Sequence, residues 1–310
     1  MDHPPLTLRV TGQLTAGFGP RLGFAPDGEG WVSAGDGAAH LWRAGETAGD
    51  VIAERAATGR VRFSRDGTTL LLAPYSYDLA GGAWLAQAPV LGRLGPPVSE
   101  AGLFEAVASA WDADGEDLVV AARFRGAGGL LGATERVFVV RGAERAPIAT
   151  LYEDEREVRG LAIDDRFIAV AVRDLAIWSR ADHRQVAALS GHAVTVTDLA
   201  FSPDGRWLAS IDGRGVLLVW DTARWGEPVA RIQTSAQRAL ALAWHPRLPV
   251  VATGGYDGVV RLWSIAEGER VTAGDPLGGW IQGLAFDPSG GRLVAAANAL
   301  PARLVVYAVE

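Results

Sequence analysis

The sequence predicts an all-β chain folded as a β-propeller, and three observations carry that prediction. An aromatic residue followed by Ser-Pro-Asp-Gly, or an eroded version of it, recurs along the chain. The copies are Phe24-Ala25-Pro26-Asp27-Gly28, Phe63-Ser64-Arg65-Asp66-Gly67, Trp111-Asp112-Ala113-Asp114-Gly115, Phe201-Ser202-Pro203-Asp204-Gly205 and Phe286-Asp287-Pro288-Ser289-Gly290. Two more are worn down to Ile163-Asp164-Asp165 and Trp244-His245-Pro246, and successive anchors lie 39, 48, 52, 38, 43 and 42 residues apart. Between anchors lie short apolar runs bounded by turn residues, and no apolar period of 3.6 persists long enough for a helix. A period near forty with several strands in each unit builds a radial array of small sheets.

The elements follow in order. Leu6 to Thr11 is an orphan strand with no turn phrase before it. The first unit ends in Gly35-Asp36-Gly37-Ala38-Ala39-His40-Leu41-Trp42. The third is stretched by Phe124-Arg125-Gly126-Ala127-Gly128-Gly129-Leu130-Leu131-Gly132-Ala133-Thr134, read as a long loop between its second and third strands. The fifth unit is the most regular. Thr195 to Phe201 is a strand, and Ser202-Pro203-Asp204-Gly205 turns the chain, since Pro suits the second and Gly the fourth position of a type I turn. Trp207 to Ile211, Val216 to Trp220 and Val229 to Gln233 supply three further strands. The sixth repeats this with Ala239 to Trp244, Val250 to Thr253, Val259 to Trp263 and Arg270 to Thr272. The seventh offers three: Ile281 to Phe286, Leu293 to Ala297 and Arg303 to Val309.

These units resemble WD repeats. The resemblance is carried by Gly191-His192, Phe201 to Gly205, Trp220-Asp221 and the run Gly255-Tyr256-Asp257-Gly258-Val259-Val260-Arg261-Leu262-Trp263. It extends over essentially the whole chain, strongest in units five and six and weakest in three and four. It implies a seven-bladed β-propeller of four-stranded antiparallel blades, with residues 1–310 as a single domain. In this family an N-terminal strand such as Leu6 to Thr11 completes the last blade and closes the ring, which leaves only short protected edges. It also implies a hydrogen-bonded chain of His, Ser or Thr, Asp and Trp within a blade. Unit five has His192, Ser210 and Trp220, but Arg214 stands where the Asp is expected. Unit six has Thr253, Asp257 and Trp263 without a matching His. No unit is complete on this pattern, so packing is expected to carry the stability.

Composition bounds the rest. Among 310 residues the net charge is −7, which argues against a nucleic-acid partner because phosphate binding needs a basic face. No apolar run approaches the roughly 18 residues of a membrane span, and Met1-Asp2-His3-Pro4-Pro5 lacks the features of a signal peptide. With no cysteine, disulfides and thiolate ligands are excluded, and a cytoplasmic address is the default. All 29 cationic residues are arginine, which with abundant Ala and Gly reads as a GC-rich bacterial coding bias.

The search for chemistry returns little. Asp112-Ala113-Asp114-Gly115-Glu116-Asp117 alternates carboxylates around a glycine as a calcium loop does, yet it occupies the place of the turn phrase and is read as a turn. His3, His40, His183, His192 and His245 lie far apart without metal-ligand spacing. The glycine-rich stretch after Arg125 lacks the strand-to-helix setting of a phosphate cradle, and Glu153-Asp154-Glu155-Arg156-Glu157 reads as a solvated connection. No cofactor is expected. Trp42, Trp178, Trp220, Trp263, Trp111 and Trp244 fall at core positions, whereas Trp280 precedes an inner strand, where the chain enters from the top loop.

WD-repeat proteins commonly bind partners at that end. Counting six and four residues back from the anchors gives a rim that includes Phe18, Glu105, Glu157, Arg159, Thr195, Thr197, Arg238, Leu240, Trp280 and Gln282. Phe18, Glu105, Glu157, Arg159, Arg238, Trp280 and Gln282 are the expected partner-binding residues, since aromatics and arginine dominate interface hot spots. The leading reading is a non-catalytic scaffold that binds a protein or peptide on its top face. The alternative is a small-molecule or metal-binding propeller, enzyme or sensor, with its site at the channel mouth.

Overall fold

The computed structural model describes residues 6–15, 21–35, 38–43, 46, 48–53, 61–64, 67, 69–72, 75–78, 83–86, 104–112, 116–125, 133–141, 146–235 and 238–310. Among them every regular element is a strand. Strand β1 (Leu8–Thr15) comes first. The first sheet is β2 (Arg21–Phe24), β3 (Gly30–Gly35), β4 (Ala38–Arg43) and β5 (Asp50–Ala53). The second is β6 (Val61–Phe63), β7 (Thr69–Leu72), β8 (Tyr75–Asp78) and β9 (Ala83–Ala86). The third is β10 (Phe104–Trp111), β11 (Asp117–Arg125), β12 (Ala133–Arg141) and β13 (Ala146–Asp154). The fourth is β14 (Gly160–Ile163), β15 (Phe167–Ala171), β16 (Leu175–Ser179) and β17 (Gln185–Leu189). The fifth is β18 (Val196–Phe201), β19 (Trp207–Asp212), β20 (Val216–Asp221) and β21 (Ala230–Gln233). The sixth is β22 (Ala239–Trp244), β23 (Val250–Gly255), β24 (Arg261–Ser264) and β25 (Glu269–Ala273). The seventh holds β26 (Trp280–Phe286), β27 (Arg292–Asn298) and β28 (Arg303–Val309), with β1 as its fourth strand.

Among the described residues this makes seven four-stranded antiparallel sheets, each ordered as the chain runs except the last. There β1 lies against β28 with Leu8 opposite Val309 and Thr15 opposite Arg303. The pairing therefore runs four residues beyond the Leu6 to Thr11 strand read from sequence. In the third sheet, pairing reaches Arg125 opposite Ala133, so the strands take up both ends of the expected loop. Residues 126–132 lie outside the described residues.

The turn phrase has a local cause. After six of the seven anchors, all but Phe24, the next residue has a side chain that accepts a backbone hydrogen bond from its own turn. Ser202 Oγ accepts the N–H of Trp207 at 2.9 Å, and Ser64 Oγ that of Thr69 at 2.9 Å. Asp112 Oδ1 accepts from Glu116 at 2.9 Å, and Asp287 Oδ1 from Arg292 at 2.9 Å. In the worn copies, Asp164 Oδ1 takes the N–H of Arg166 at 2.8 Å, and His245 Nδ1 takes those of Arg247 and Leu248 at 3.1 Å each. An acceptor side chain satisfies the orphan donors of a turn whether it is hydroxyl, carboxylate or imidazole. That is why Ile163-Asp164-Asp165 and Trp244-His245-Pro246 still turn the chain without the full phrase.

The chain forms two compact units, residues 1–56 with 191–310, and residues 57–190. In the first, sheets pack face to face: Ala209, Leu217 and Val219 of the fifth sheet share a core with Leu242, Val251 and Trp263 of the sixth. Val250, Leu262 and Val260 then meet Ile281, Leu293 and Tyr307 of the seventh, and Leu304 and Val294 meet Trp31 and Trp42 of the first. First strands lie beside first strands: β18 by β22, β22 by β26 and β26 by β2. Trp244 Nε1 donates to the Ala200 carbonyl at 2.9 Å, and Asp198 Oδ2 accepts the Leu242 N–H at 2.9 Å, so adjacent sheets are joined by hydrogen bonds as well as packing. In the second unit, Val119, Val137 and Val139 of the third sheet pack with Leu161, Ile168 and Val170 of the fourth.

Candidate functional site

The polar chain of the fifth sheet differs from expectation. His192 Nε2 lies 2.8 Å from Ser210 Oγ, which also accepts Trp220 Nε1–H at 3.1 Å. The other imidazole nitrogen, Nδ1, lies 3.0 Å from Asp212 Oδ2. The chain is therefore complete, and the expectation that Arg214 breaks it is corrected. Asp212 ends β19, and its Oδ1 also accepts the N–H groups of Arg214 at 2.8 Å and Val216 at 3.0 Å. One buried carboxylate thus holds both the imidazole and the turn. In the sixth sheet Thr253 Oγ1 accepts Trp263 Nε1–H at 2.8 Å, but Asp257 stands apart from that pair and binds Arg261 Nη1 at 2.7 Å. The first sheet repeats the theme in Trp42 Nε1–H to Ser33 Oγ at 2.9 Å. In the fourth, the matching strand position is Val170, and the Trp178 Nε1–H is buried without a partner among the described residues.

Near the start of the first strand in the third, fifth, sixth and seventh sheets, the ladder carries a bulge. Ala106 pairs with Ala122 and Ala108 with Ala121; Val196 pairs with Asp212 and Asp198 with Ile211. The same happens between Ala239 and Ala241 and between Ile281 and Gly283. The extra residues are Val107, Thr197, Leu240 and Gln282, the rim positions four before their anchors. A bulge adds one residue and re-aims the side chains around it.

In the sixth and seventh sheets this end carries an aromatic ledge. The indole of Trp280, the first residue of β26, stacks on Tyr256 with centroids 4.3 Å apart and planes 3° from parallel. The guanidinium of Arg238 lies over the Tyr256 ring at 5.8 Å. Tyr256 thus joins two residues that sequence reasoning had placed together only by counting. Tyr256 was legible as an aromatic in the turn Gly255-Tyr256-Asp257-Gly258, a position that needs no core side chain. Two glycines make the close fit. Gly258 has φ +72°, and a Cβ on it would lie 2.7 Å from the Gly279 carbonyl oxygen; one on Gly279 would lie 2.6 Å from the Ala299 nitrogen. Trp280 is 43% exposed and Leu300, two residues past its cross-strand partner Asn298, is 85% exposed. Beside the ledge, Gln282 Oε1 and Asn298 Oδ1 are buried without a donor among the described residues.

In the second unit, Glu157 and Arg159 pair with each other. Arg123 Nη2 reaches Glu157 at 3.1 Å and the buried Glu135 at 2.6 Å, and Glu135 accepts the Val158 N–H. These two rim residues are thus tied into a network that holds the approach to β14. Phe18 lies outside the described residues; Glu105 lies on β10, and its side chain lies outside them too. The calcium-like segment is held by arginine: Asp112 pairs with Arg180, and Asp117 binds Arg141 at 2.6 and 2.8 Å and Arg180 Nε at 2.9 Å. Burial works against ionisation of Asp117, but the Arg141 and Arg180 hydrogen bonds outweigh it and hold its carboxyl below the usual range. Among the described residues no group of three or more His, Asp or Glu side chains is placed to hold a metal ion.

The model of the family described as WD domain, G-beta repeat matches residues 183–221 and 226–264. Each matched stretch begins at the outer strand of one sheet and ends with the third strand of the next. Over 139 residues, 41% of this chain, the sequence is 37% identical to Centriole proteome protein 16 of Chlamydomonas reinhardtii, covering 7% of that protein. It is 31% identical over 133 residues to the 66 kDa stress protein of Physarum polycephalum, or 42% of this chain and 22% of that protein. It is 27% identical over 139 residues to Protein HIR1 of Candida albicans, or 40% of this chain and 15% of that protein. The matched stretch covers less than a quarter of each of these relatives. All three are eukaryotic, so they lend no support to the bacterial source read from composition.

Proposed function

We propose that this chain is a non-catalytic scaffold, cytoplasmic in address, that binds a protein or peptide where its first strands begin, on the ledge of Trp280, Tyr256 and Arg238. One observation carries the reading. A large indole stands 43% exposed while stacked flat on a tyrosine under an arginine, a rigid patch of the composition that dominates interface energetics. The match of residues 183–221 and 226–264 to the WD repeat model supports it, because proteins built of such repeats generally assemble partners. The same reading takes the seven sheets as blades of one closed ring spanning residues 1–310. The pairing of β1 with β28 supports closure, since it joins the two ends of the chain in one sheet.

The test is capture of partners from an extract of the source organism, comparing the wild-type chain with a folded Trp280→Ala/Arg238→Ala double variant. A protein retained by the wild type and lost by the variant is the expected result. A protein retained equally by both would move the interface off this ledge, and no retained protein would overturn the scaffold reading.

A further inference from the structure

The ledge has a charge that no carboxylate among the described residues answers. Arg238 is exposed, and among the described residues no carboxylate lies within ion-pair distance of it. The carboxylate nearest in sequence to Tyr256, that of Asp257, is already held by Arg261 at 2.7 Å and by the Val259 N–H at 3.1 Å. At the same end of the fourth sheet, by contrast, Arg159 is paired with Glu157. Arg238 therefore presents a local positive charge on a chain whose net charge is −7. In the same ledge Trp280 is exposed, as is Leu300 two residues past Asn298, the residue opposite Trp280.

From this complementarity we infer that the ledge reads a short extended segment carrying a carboxylate close to an aromatic or leucine side chain. The carboxylate meets Arg238, and the apolar side chain covers Trp280. The inference rests on the ledge being the binding surface proposed above. The two ring distances place the guanidinium and the indole within about 10 Å of each other. At roughly 3.3 Å per residue of extended chain, the acidic and apolar residues fall within about three positions. A partner segment with a basic residue at that spacing would set like charges together and be rejected.

A displayed library of random twelve-residue peptides, panned on the purified full chain and read by sequencing, tests this. The wild type is expected to enrich Asp or Glu within three positions of an aromatic or leucine. Arg238→Glu is expected to enrich Lys or Arg there instead. A peptide synthesised from the wild-type selection should bind Arg238→Gln about two- to fivefold more weakly, the range of an exposed ion pair. It should bind Trp280→Ala at least about tenfold more weakly, as for a hot-spot truncation. Both positions are exposed, and matched unfolding midpoints confirm that the variants fold. If binding depends on Trp280 but selection ignores charge, or the Arg238→Glu variant enriches the same peptides, the charge inference fails and the binding surface stands. If no selected peptide depends on Trp280, the surface itself is misplaced and both readings fall.

Discussion

The carboxylate of Asp212 lies 3.0 Å from Nδ1 of His192, filling the role that the repeat pattern assigns to the position held by Arg214. Substitution of Asp212 by Ala would strand the imidazole and two backbone N–H groups, those of Arg214 and Val216. It is expected to cost about 3 kcal/mol, because buried donors lose a charged acceptor. Arg214→Ala should stay within about 0.5 kcal/mol, as exposed changes usually do. Urea unfolding of the two variants checks the ranking, and an Arg214 variant as damaged as the Asp212 variant would refute it.

Trp178 and Val170 show the same motif with its acceptor missing. In the fifth sheet Ser210 accepts from Trp220, and in the sixth Thr253 accepts from Trp263. Val170 stands at the equivalent place, two residues beyond the one opposite Trp178. Val170→Thr supplies an oxygen of nearly the same shape. It is expected to leave stability unchanged or raise it by up to about 1 kcal/mol, the net worth of one hydrogen bond. Val170→Ala should instead destabilise by opening a cavity. Thermal unfolding of both variants decides it, and equal destabilisation would show that Trp178 does not take the new partner.

His245 introduces a pH dependence. Its side chain is buried between the turn that it caps and Phe286, whose ring lies 5.1 Å away. Burial, the largest influence, pushes its pKa below 6.5; a backbone hydrogen bond with Gly290 and the nearby Asp287 pull the other way, and Arg247 adds to the fall. The unfolded chain therefore takes up this proton first. The contribution of His245 is complete above about pH 6.5 and is lost as the pH falls below it, by at most about 1.4 kcal/mol per pH unit. His245→Asn keeps an acceptor for the turn without the titration, so its unfolding midpoint should fall less than the wild type between pH 7 and 5. Parallel acid profiles of the two proteins would contradict this.

Tyr307 is 1% exposed, and its hydroxyl is buried without a hydrogen-bond partner among the described residues. Burial, followed by the charge of Asp275, pushes its pKa up to about 12. Tyr307→Phe removes an unsatisfied group while keeping the ring that packs in the core of the sixth and seventh sheets. The variant is expected to match or exceed wild-type stability at pH 7 by up to about 1 kcal/mol. The unfolded phenol ionises first above pH 10, so the wild type should also lose stability there that the variant keeps. Unfolding midpoints at pH 7 and 10.5 measure both effects, and a clear loss on substitution would mean that the hydroxyl has a partner after all.

The strands and turns of the fifth and sixth sheets, and β26 to β28 of the seventh, were legible to within one or two residues because their signals are local. A Pro-Asp-Gly turn needs only its own residues, and the side-chain acceptor that follows an anchor bonds within five positions. Asp212 was missed for the opposite reason. The pattern names a place in the turn, whereas the imidazole selects whichever carboxylate its strand pair brings near. The tie of Glu157 and Arg159 to Arg123 and Glu135 joins residues over twenty positions apart, and no periodicity marks it.

Read alone, the sequence determined the all-β class, the repeat and the positions of its turns, since φ preferences and turn hydrogen bonds act over a few residues. Tertiary structure decided that Trp280 lies on Tyr256 and, among the described residues, that Arg238 meets no carboxylate and which buried oxygens lack donors. Those outcomes depend on register, and a bulge shifts register by one residue at Leu240 and again at Gln282. Because strand side chains alternate between faces, a one-residue shift decides which of them meet across neighbouring sheets.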